Sequence, residues 1–419
     1  MIWIAVPVLV LLATLGLPLF LVLGAGGLIA SHHVGMDPAI LIVELDRIAS
    51  SPNLIAIPLF TLAGVILAHG GSAQRLIRFF DVTMGWLPGG LCTVTLSVCA
   101  FFTAFSGASG VTILALGGML CPMLSKAGYR ERFVCGLLTS SGSLGILFPP
   151  SLAVLVYGIV AGVSIDELYL AGIVPGMVLL LMLMGFSAYA GIRVHAAHPG
   201  FDWRAIVQAT RLAIWDLLLP FGIALGLFGG FVTVGEVAAC TACYVLALEA
   251  GIHRCIDLRR QFLPIAQETS LLVGSLLIIL GAAIGLTNLL IDAEVPMKLL
   301  EWVRGNVGSE LQFLLLLNLF LILVGAMMDI FSAIMVVVPM LLPLAQHFGV
   351  DPVHLGIIIL ANLEIGYNTP PVGINLFIAS QRFQKPVLHL FLYSLPFVAI
   401  MFVWLALVTY VPVLSLWWR

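Results

Sequence analysis

Asn362-Leu-Glu-Ile-Gly-Tyr-Asn-Thr-Pro-Pro-Val-Gly-Ile-Asn375 lies inside an apolar run of membrane-spanning length, and its Pro370-Pro371 pair forbids one continuous helix there. Each proline removes a backbone N–H, and its ring clashes with the carbonyl four residues back. Ser141-Gly-Ser-Leu-Gly-Ile-Leu-Phe-Pro-Pro-Ser151 carries the same pair, Pro149-Pro150, at an offset of 221. At lipid depth, backbone departs from helix only where it is buried in protein or lines a cavity. A lone proline in a membrane helix is ordinarily a harmless kink. A pair repeated at one offset, with polar residues on each side, points to a site. The breaks free carbonyl oxygens around Gly145 to Phe148 and Gly366 to Thr369. Such oxygens with nearby hydroxyls suit a partly dehydrated Na⁺, and half-helix N-termini attract an anion.

Composition places these breaks in lipid. Of 419 residues, 62% are hydrophobic and 9% charged, against about 25% charged in a soluble domain. So few charges cannot hydrate the surface of a globule, so the chain is expected to be a multi-pass, all-α integral membrane protein. The net charge of −3, with no sizeable basic patch, excludes a nucleic-acid partner. Met1 to Leu15 lacks the basic start of a signal peptide, the first Arg being Arg47, and is expected to be a retained span. Other apolar runs cover 17–31, 54–70, 133–162, 168–192, 214–231, 234–251, 264–291, 353–381 and 387–412.

Two further runs are too long for one crossing. Residues 86–125 contain no Asp, Glu, Lys or Arg, and 311–350 contain only Asp329. As one helix the first would reach about 60 Å, twice the hydrocarbon core. Basic residues stand at both ends: Arg75 and Arg78 before it, Lys126, Arg130 and Arg132 after it. Both ends are therefore cytoplasmic, and the run is a re-entrant hairpin or a pair of spans. Thr103, Ser106, Gly107, Ser109 and Gly110 at its centre favour the hairpin, with its reversal there.

The offset of 221 extends beyond the prolines. Ile113, Met119, Leu120, Pro122, Gly128 and Gly145 match Ile334, Met340, Leu341, Pro343, Gly349 and Gly366, making eight identities in 38 ungapped positions with the two proline pairs. The repeat is expected to be inverted. The loop 126–132 holds three basic residues, whereas Gln346 to Asp351 holds none and one acid. With five spans per half the N-terminus lies outside; a single tilted span over 2–29 would put it inside.

Two acids lie at membrane depth, Glu364 and Asp329. Such acids are functional by default; the alternative is a carboxylate that hydrogen-bonds to hold a helix junction. His32, His33, His347 and His354 read as interfacial residues. Cys240 and Cys243 form a CxxC, but with no His or acid between them they read as buried apolar thiols.

These stretches resemble a known family. Gly145-Ile-Leu-Phe-Pro-Pro-Ser151, Gly349-Val-Asp-Pro-Val-His-Leu-Gly356 and Asn362 through Phe377, with Ile57-Pro58 and Gly325-Ala-Met-Met-Asp329, are similar to signature stretches of the large membrane subunit of TRAP (tripartite ATP-independent periplasmic) transporters. The resemblance covers essentially the whole chain. It implies an elevator-type carrier in the bacterial inner membrane, driven by Na⁺, that imports an organic acid such as a dicarboxylate, keto acid or sialic acid. It further implies a small four-helix membrane subunit and a periplasmic substrate-binding protein as partners.

By the same resemblance one Na⁺ would sit at Ser106 with carbonyls of Gly145, Phe148 and Pro150, and a second at Gly325, Gly366, Thr369 and Val372. Substrate would lie near Ser151, Asp329 and Asn375. Family members often show Ser-Gly-Ser at the first tip, whereas this chain has Ser106-Gly107-Ala108-Ser109, so one hydroxyl is missing or comes from the next position. The chain then divides into scaffold spans 1–70, an arm helix, hairpin and broken helix over 71–162, linking and scaffold spans 163–291, a second arm, hairpin and broken helix over 292–382, and a last span 383–419. Two other readings stand beside this one: a stand-alone carboxylate symporter of the wider ion-transporter superfamily, and a membrane enzyme. The latter has no nucleophile–base pair or metal cluster to support it.

Overall fold

Proline and glycine set the element boundaries in this computed structural model, which describes residues 19–35, 52–87, 89–107, 109–194, 200–230, 232–294 and 307–419 with scattered single residues between. Among the described residues all regular structure is helical. The first half comprises α1 (Leu19–Val34), α2 (Ala56–His69), α3 (Ser72–Met84), α4 (Gly90–Ser106), α5 (Ser109–Lys126), α6 (Glu131–Ser141), α7 (Leu152–Ala161) and α8 (Ile165–Val194). The second comprises α9 (Trp203–Phe228), α10 (Val234–Leu246, continued by a π-helical turn to Ile252), α11 (Leu258–Asp292), α12 (Glu310–Met327), α13 (Ile330–His347), α14 (Pro352–Gly366), α15 (Ile374–Phe383) and α16 (Val387–Tyr410). Eight described helices are long and apolar enough to cross a membrane alone. The expected span 1–15 and nearly all of the second arm helix fall outside the described residues.

Both long runs are hairpins. The first reverses at Gly107, whose φ of +63° is a left-handed conformation that glycine adopts without a Cβ clash. The second reverses at Met328 and Asp329, the latter capping α13. At 17 or 18 residues each limb is about 26 Å long, short of the roughly 30 Å hydrocarbon core. The internal repeat governs the helix ends as well as the sequence. Shifting α5 by 221 gives the bounds of α13 at both termini, and Gly128 (φ +92°) falls on Gly349 (φ +80°). Both Pro-Pro bonds are cis.

Ion pairs fix the relative direction of the two broken helices. Lys385 Nζ lies 2.8 Å from Glu131 Oε1, so the end of α15 sits beside the start of α6. At the opposite end Arg419 pairs with Asp351, at the start of α14, and with Glu167, just past α7. The unit α6–α7 therefore runs from the first cluster towards the second, and α14–α15 runs back. The repeats are inverted, and their hairpins exchange partners: α5 packs on α15, and α13 on α7.

Four of the other helices form a further layer, in which α2 packs on α10 and α11, and α1 on α11, and which meets the hairpins where α2 packs on α4 and α11 on α13. At Gly70 and Gly71 the chain bends by 71° from α2 into the amphipathic arm α3. Arg75 on the arm is held, largely covered, between the buried Asp216 of α9 and Glu249 of the π-helical turn, with Nε 2.7 Å from Asp216 Oδ2. The Ser72 hydroxyl is 2.5 Å from Asp216 Oδ1 and 2.7 Å from Glu249 Oε1.

Two sequence expectations are corrected here. Cys240 and Cys243 are exposed on the outer face of α10, where lipid accepts a thiol as readily as a protein core does. His354 is buried: its Nδ1 lies 2.6 Å from Ser415 Oγ, so the chain's last turns cover a residue that local sequence places at an interface.

Candidate transport site

Each hairpin tip is seated directly on the break of its own repeat. A Cβ on Gly145 would fall 2.7 Å from Thr103 Cβ and would also overlap Ala104 N; one on Gly366 would fall 2.6 Å from Gly325 Cα. Ala104 and Gly325 are equivalent at the offset of 221, so one glycine contact recurs in both repeats. Thr103 Oγ1 ties the first tip down by donating to Gly142 O (2.7 Å) and meeting Thr112 Oγ1 (2.9 Å). The second tip is held by Val372 N and Gly373 N, which both donate to Ala326 O (3.0 Å), and by Ile330 N donating to Tyr367 Oη.

The second proposed cation group is thereby drawn together. Gly325 abuts Gly366, Val372 is bonded to the neighbour of Gly325, and Thr369 N and Oγ1 each donate to Gly366 O at 3.0 Å. The first group is more dispersed. Gly145 O accepts from Phe148 N and Phe148 O from Ser151 N, both at 3.0 Å, so these carbonyls stay on the break. Ser106 reaches the same neighbourhood through Gly107, whose Cβ would strike the Leu152 side chain at 2.6 Å. Both groups offer uncharged hydroxyl and carbonyl oxygens, the donor type of a hard monovalent cation. Their glycines are positions where a Cβ would displace backbone.

A cavity of about 230 Å³ joins the two tips. Ser106, Gly107, Leu152, Asp329 and Phe331 line it from the hairpin side, and Thr61 of α2 with Leu272, Ser275, Leu276 and Ile279 of α11 from the other. Among the described residues no Lys or Arg lines it. Neither half-helix after a break, α7 or α15, has a side-chain cap at its N-terminus, whereas α13 and α14 are capped by Asp329 and Asp351. The α7 terminus opens towards this cavity at Leu152.

Of the expected substrate residues only Asp329 borders the cavity, and part of its carboxylate is already engaged. Its Oδ1 accepts from Phe331 N and Ser332 N, both at 3.0 Å, and Oδ2 from the Ser332 hydroxyl. Ser151 and Asn375 are fully buried behind the lining. Tyr169 Oη donates to Ser151 O at 3.3 Å, and Asn375 Nδ2 reaches Ser143 Oγ at 3.4 Å across the repeat interface. Thr61 and Ser275 are the polar residues that sequence reasoning missed. Thr61 is the single hydroxyl of α2 and Ser275 one of several on α11, patterns with no local signal.

Comparison with known proteins agrees with this architecture. Residues 3–414 match the family model described as "Tripartite ATP-independent periplasmic transporter, DctM component". The chain is 34% identical to a C4-dicarboxylate TRAP transporter large permease protein DctM from Pseudomonas aeruginosa, over 90% of this chain and 88% of the relative. It is 33% identical to an ectoine TRAP transporter large permease protein TeaC from Halomonas elongata, over 88% of this chain and 86% of that one. Among solved structures, the Alcanivorax borkumensis YdaH transporter shares its fold with a TM-score of 0.62 at 16% identity, covering 90% of this chain and 88% of that chain.

Proposed function

The chain belongs to the DctM component family of tripartite ATP-independent periplasmic transporters, and we propose that it moves a small organic anion through the tip-to-tip cavity by coupling to Na⁺. It is a multi-pass transporter subunit, not an enzyme. The observation that carries the reading is the cavity itself: two re-entrant tips on one side, scaffold helices on the other, and no basic residue among the described residues of the lining. An anion entering there needs its charge met by something other than Lys or Arg. The uncapped start of α7 supplies part of that field, and a bound cation supplies the rest. Gly325, Gly366, Thr369 and Val372 would hold one Na⁺, and Ser106, Gly145, Phe148 and Pro150 another.

In this account the tips and broken helices move together against α1, α2, α10 and α11, an elevator motion in the bacterial inner membrane. A small membrane subunit packs on that static layer, and a periplasmic binding protein delivers the substrate. The substrate is taken to be an organic acid such as a dicarboxylate, keto acid or sialic acid. Relatives of similar identity bear names for C4-dicarboxylate and for ectoine, so the family alone does not select among them. Uptake into liposomes holding this chain, its small partner and a loaded binding protein tests the proposal. Uptake should require an inward Na⁺ gradient, and equal rates without Na⁺ would overturn the coupling.

A further inference from the structure

The outer face of α9 carries a long recess that takes no part in the transport site. Arg204, Gln208, Arg211, Trp215, Leu218 and Gly222 follow one another along it at helical spacing, and all are exposed. Chemistry divides this face in two. From Trp203 to Leu212 it borders a space of about 430 Å³ whose polar groups are Arg204, Gln208 and Arg211. From Trp215 onward it borders a groove of about 500 Å³ between α9 and α10, with no charged residue among the described residues of the lining.

Glycine keeps the groove open. A Cβ on Gly222 would meet nothing within 4 Å, whereas one on Gly226 would stand 3.1 Å from Val232 Cγ2 and from Val237 Cγ2. Tyr244 of α10 bridges to α9 near the arginines, its hydroxyl donating to Trp215 O at 2.8 Å. Trp215 to Gly226 spans about 16 Å of helix, so the volume averages about 30 Å² in section. An α-helix, 10–12 Å across, needs about 80–110 Å². The groove has room for one extended hydrocarbon chain and is too narrow for a partner's helix.

The arginine end calls for an anion. Neither Arg204 nor Arg211 has an ion-pair partner among the described residues, unlike Arg75, Lys385 and Arg419. Asp202, the acid nearest in sequence, spends its Oδ1 on the N–H groups of Arg204 and Ala205 as the helix cap. Phe201 meets Trp86 edge to face at 5.7 Å. The start of α9 therefore lies at the end of the protein where the first hairpin begins, the side assigned to the basic loop 126–132. That side is cytoplasmic, and anionic lipids of the cytoplasmic leaflet collect at basic pockets between membrane helices.

We propose that this face of α9 binds an anionic phospholipid, with Arg204 and Arg211 meeting its phosphate and one acyl chain lying along Gly222 between α9 and α10. The same helix packs on the arm α3 and holds Asp216 against Arg75, so the bound lipid braces the seat of the arm.

Titration of the purified complex of this chain with its small subunit, in detergent, tests the proposal, with native mass spectrometry counting bound phosphatidylglycerol or phosphatidylcholine. The parent should bind phosphatidylglycerol about twenty-five-fold more tightly at one site, each arginine contributing about a factor of five. Arg204→Gln with Arg211→Gln should remove that preference and leave phosphatidylcholine binding unchanged. Gly222→Phe fills a space free of protein atoms and should abolish the site for both lipids, with the thermal transition unaltered; Gly222→Leu replaces it should the larger side chain prevent folding. Equal binding of the two lipids by the parent, or a preference that survives the double arginine substitution, would overturn the proposal. So would a Gly222 variant that sheds the small subunit while its lipid count stays unchanged, since the groove would then be a protein interface. The lipid count needs neither Na⁺ nor substrate, so its outcome is separate from that of the uptake assay.

Discussion

Gly366 and Gly325 meet backbone to backbone: a Cβ on Gly366 would stand 2.6 Å from Gly325 Cα. That contact seats the second hairpin on the second break, and its counterpart, Gly145 against Ala104, seats the first. Gly366→Ala must push the tip away. Overpacking of this kind costs about 1–3 kcal/mol, and here the displaced atoms belong to the proposed cation group. Uptake should be lost and Na⁺ should no longer raise the thermal transition of the purified subunit. Gly185→Ala, at a position with nothing within 4 Å, should leave both intact.

Thr369 contributes a hydroxyl in addition to backbone, with Oγ1 3.0 Å from Gly366 O. Thr369→Val keeps the shape and deletes that oxygen. The Na⁺ concentration for half-maximal uptake should rise about tenfold, equivalent to 1.4 kcal/mol, with expression unchanged. An unaltered Na⁺ dependence would remove Thr369 from the site.

Arg75 ties the arm to α9 and to the π-helical turn after α10 through Asp216 and Glu249, both of which have fully buried side chains. Removing one partner of a buried ion pair costs about 3–5 kcal/mol, because a charge is left uncompensated. Arg75→Met should therefore lower the thermal transition strongly. The triple variant that adds Asp216→Asn and Glu249→Gln should recover much of the loss. Equal destabilisation in both variants would show that packing and not charge is at stake.

Much of this architecture is legible in sequence because its determinants are local or repeated. Pro149-Pro150 and Pro370-Pro371 announce the breaks, the small polar cluster from Thr103 to Gly110 the reversal, and the offset of 221 the internal repeat. The long-range partners are not legible. Arg75 meets Asp216 across 141 positions, and His354 meets Ser415 across 61, with no periodicity linking them. Thr61 and Ser275 belong to the cavity only because α2 and α11 happen to face the tips. Asn375, which the family resemblance places beside the substrate, instead reaches Ser143 with its amide nitrogen.

The ion pairs Lys385–Glu131 and Arg419–Asp351 place the two post-hairpin loops at opposite ends of the protein. In a cysteine-free background, Gly128→Cys should label only from the cytoplasmic side and Gly349→Cys only from the periplasmic side. Both glycines hold positive φ, so Ser125→Cys and Gln346→Cys serve as unstrained alternates. Labelling of both loops from one side would contradict the inverted repeat.

The account stands or falls on relative movement across the tip cavity, and Ser106 with Ser275, which line it from opposite sides, report on that movement. Ser106→Cys and Ser275→Cys combined in a cysteine-free chain, bridged by a short reducible cross-linker, fix the first tip to α11. Cross-linking should abolish Na⁺-driven uptake in the double variant alone, and reduction should restore it to the level before treatment. Full uptake by a completely cross-linked protein would mean that the tips do not move against the scaffold, and would contradict the mechanism.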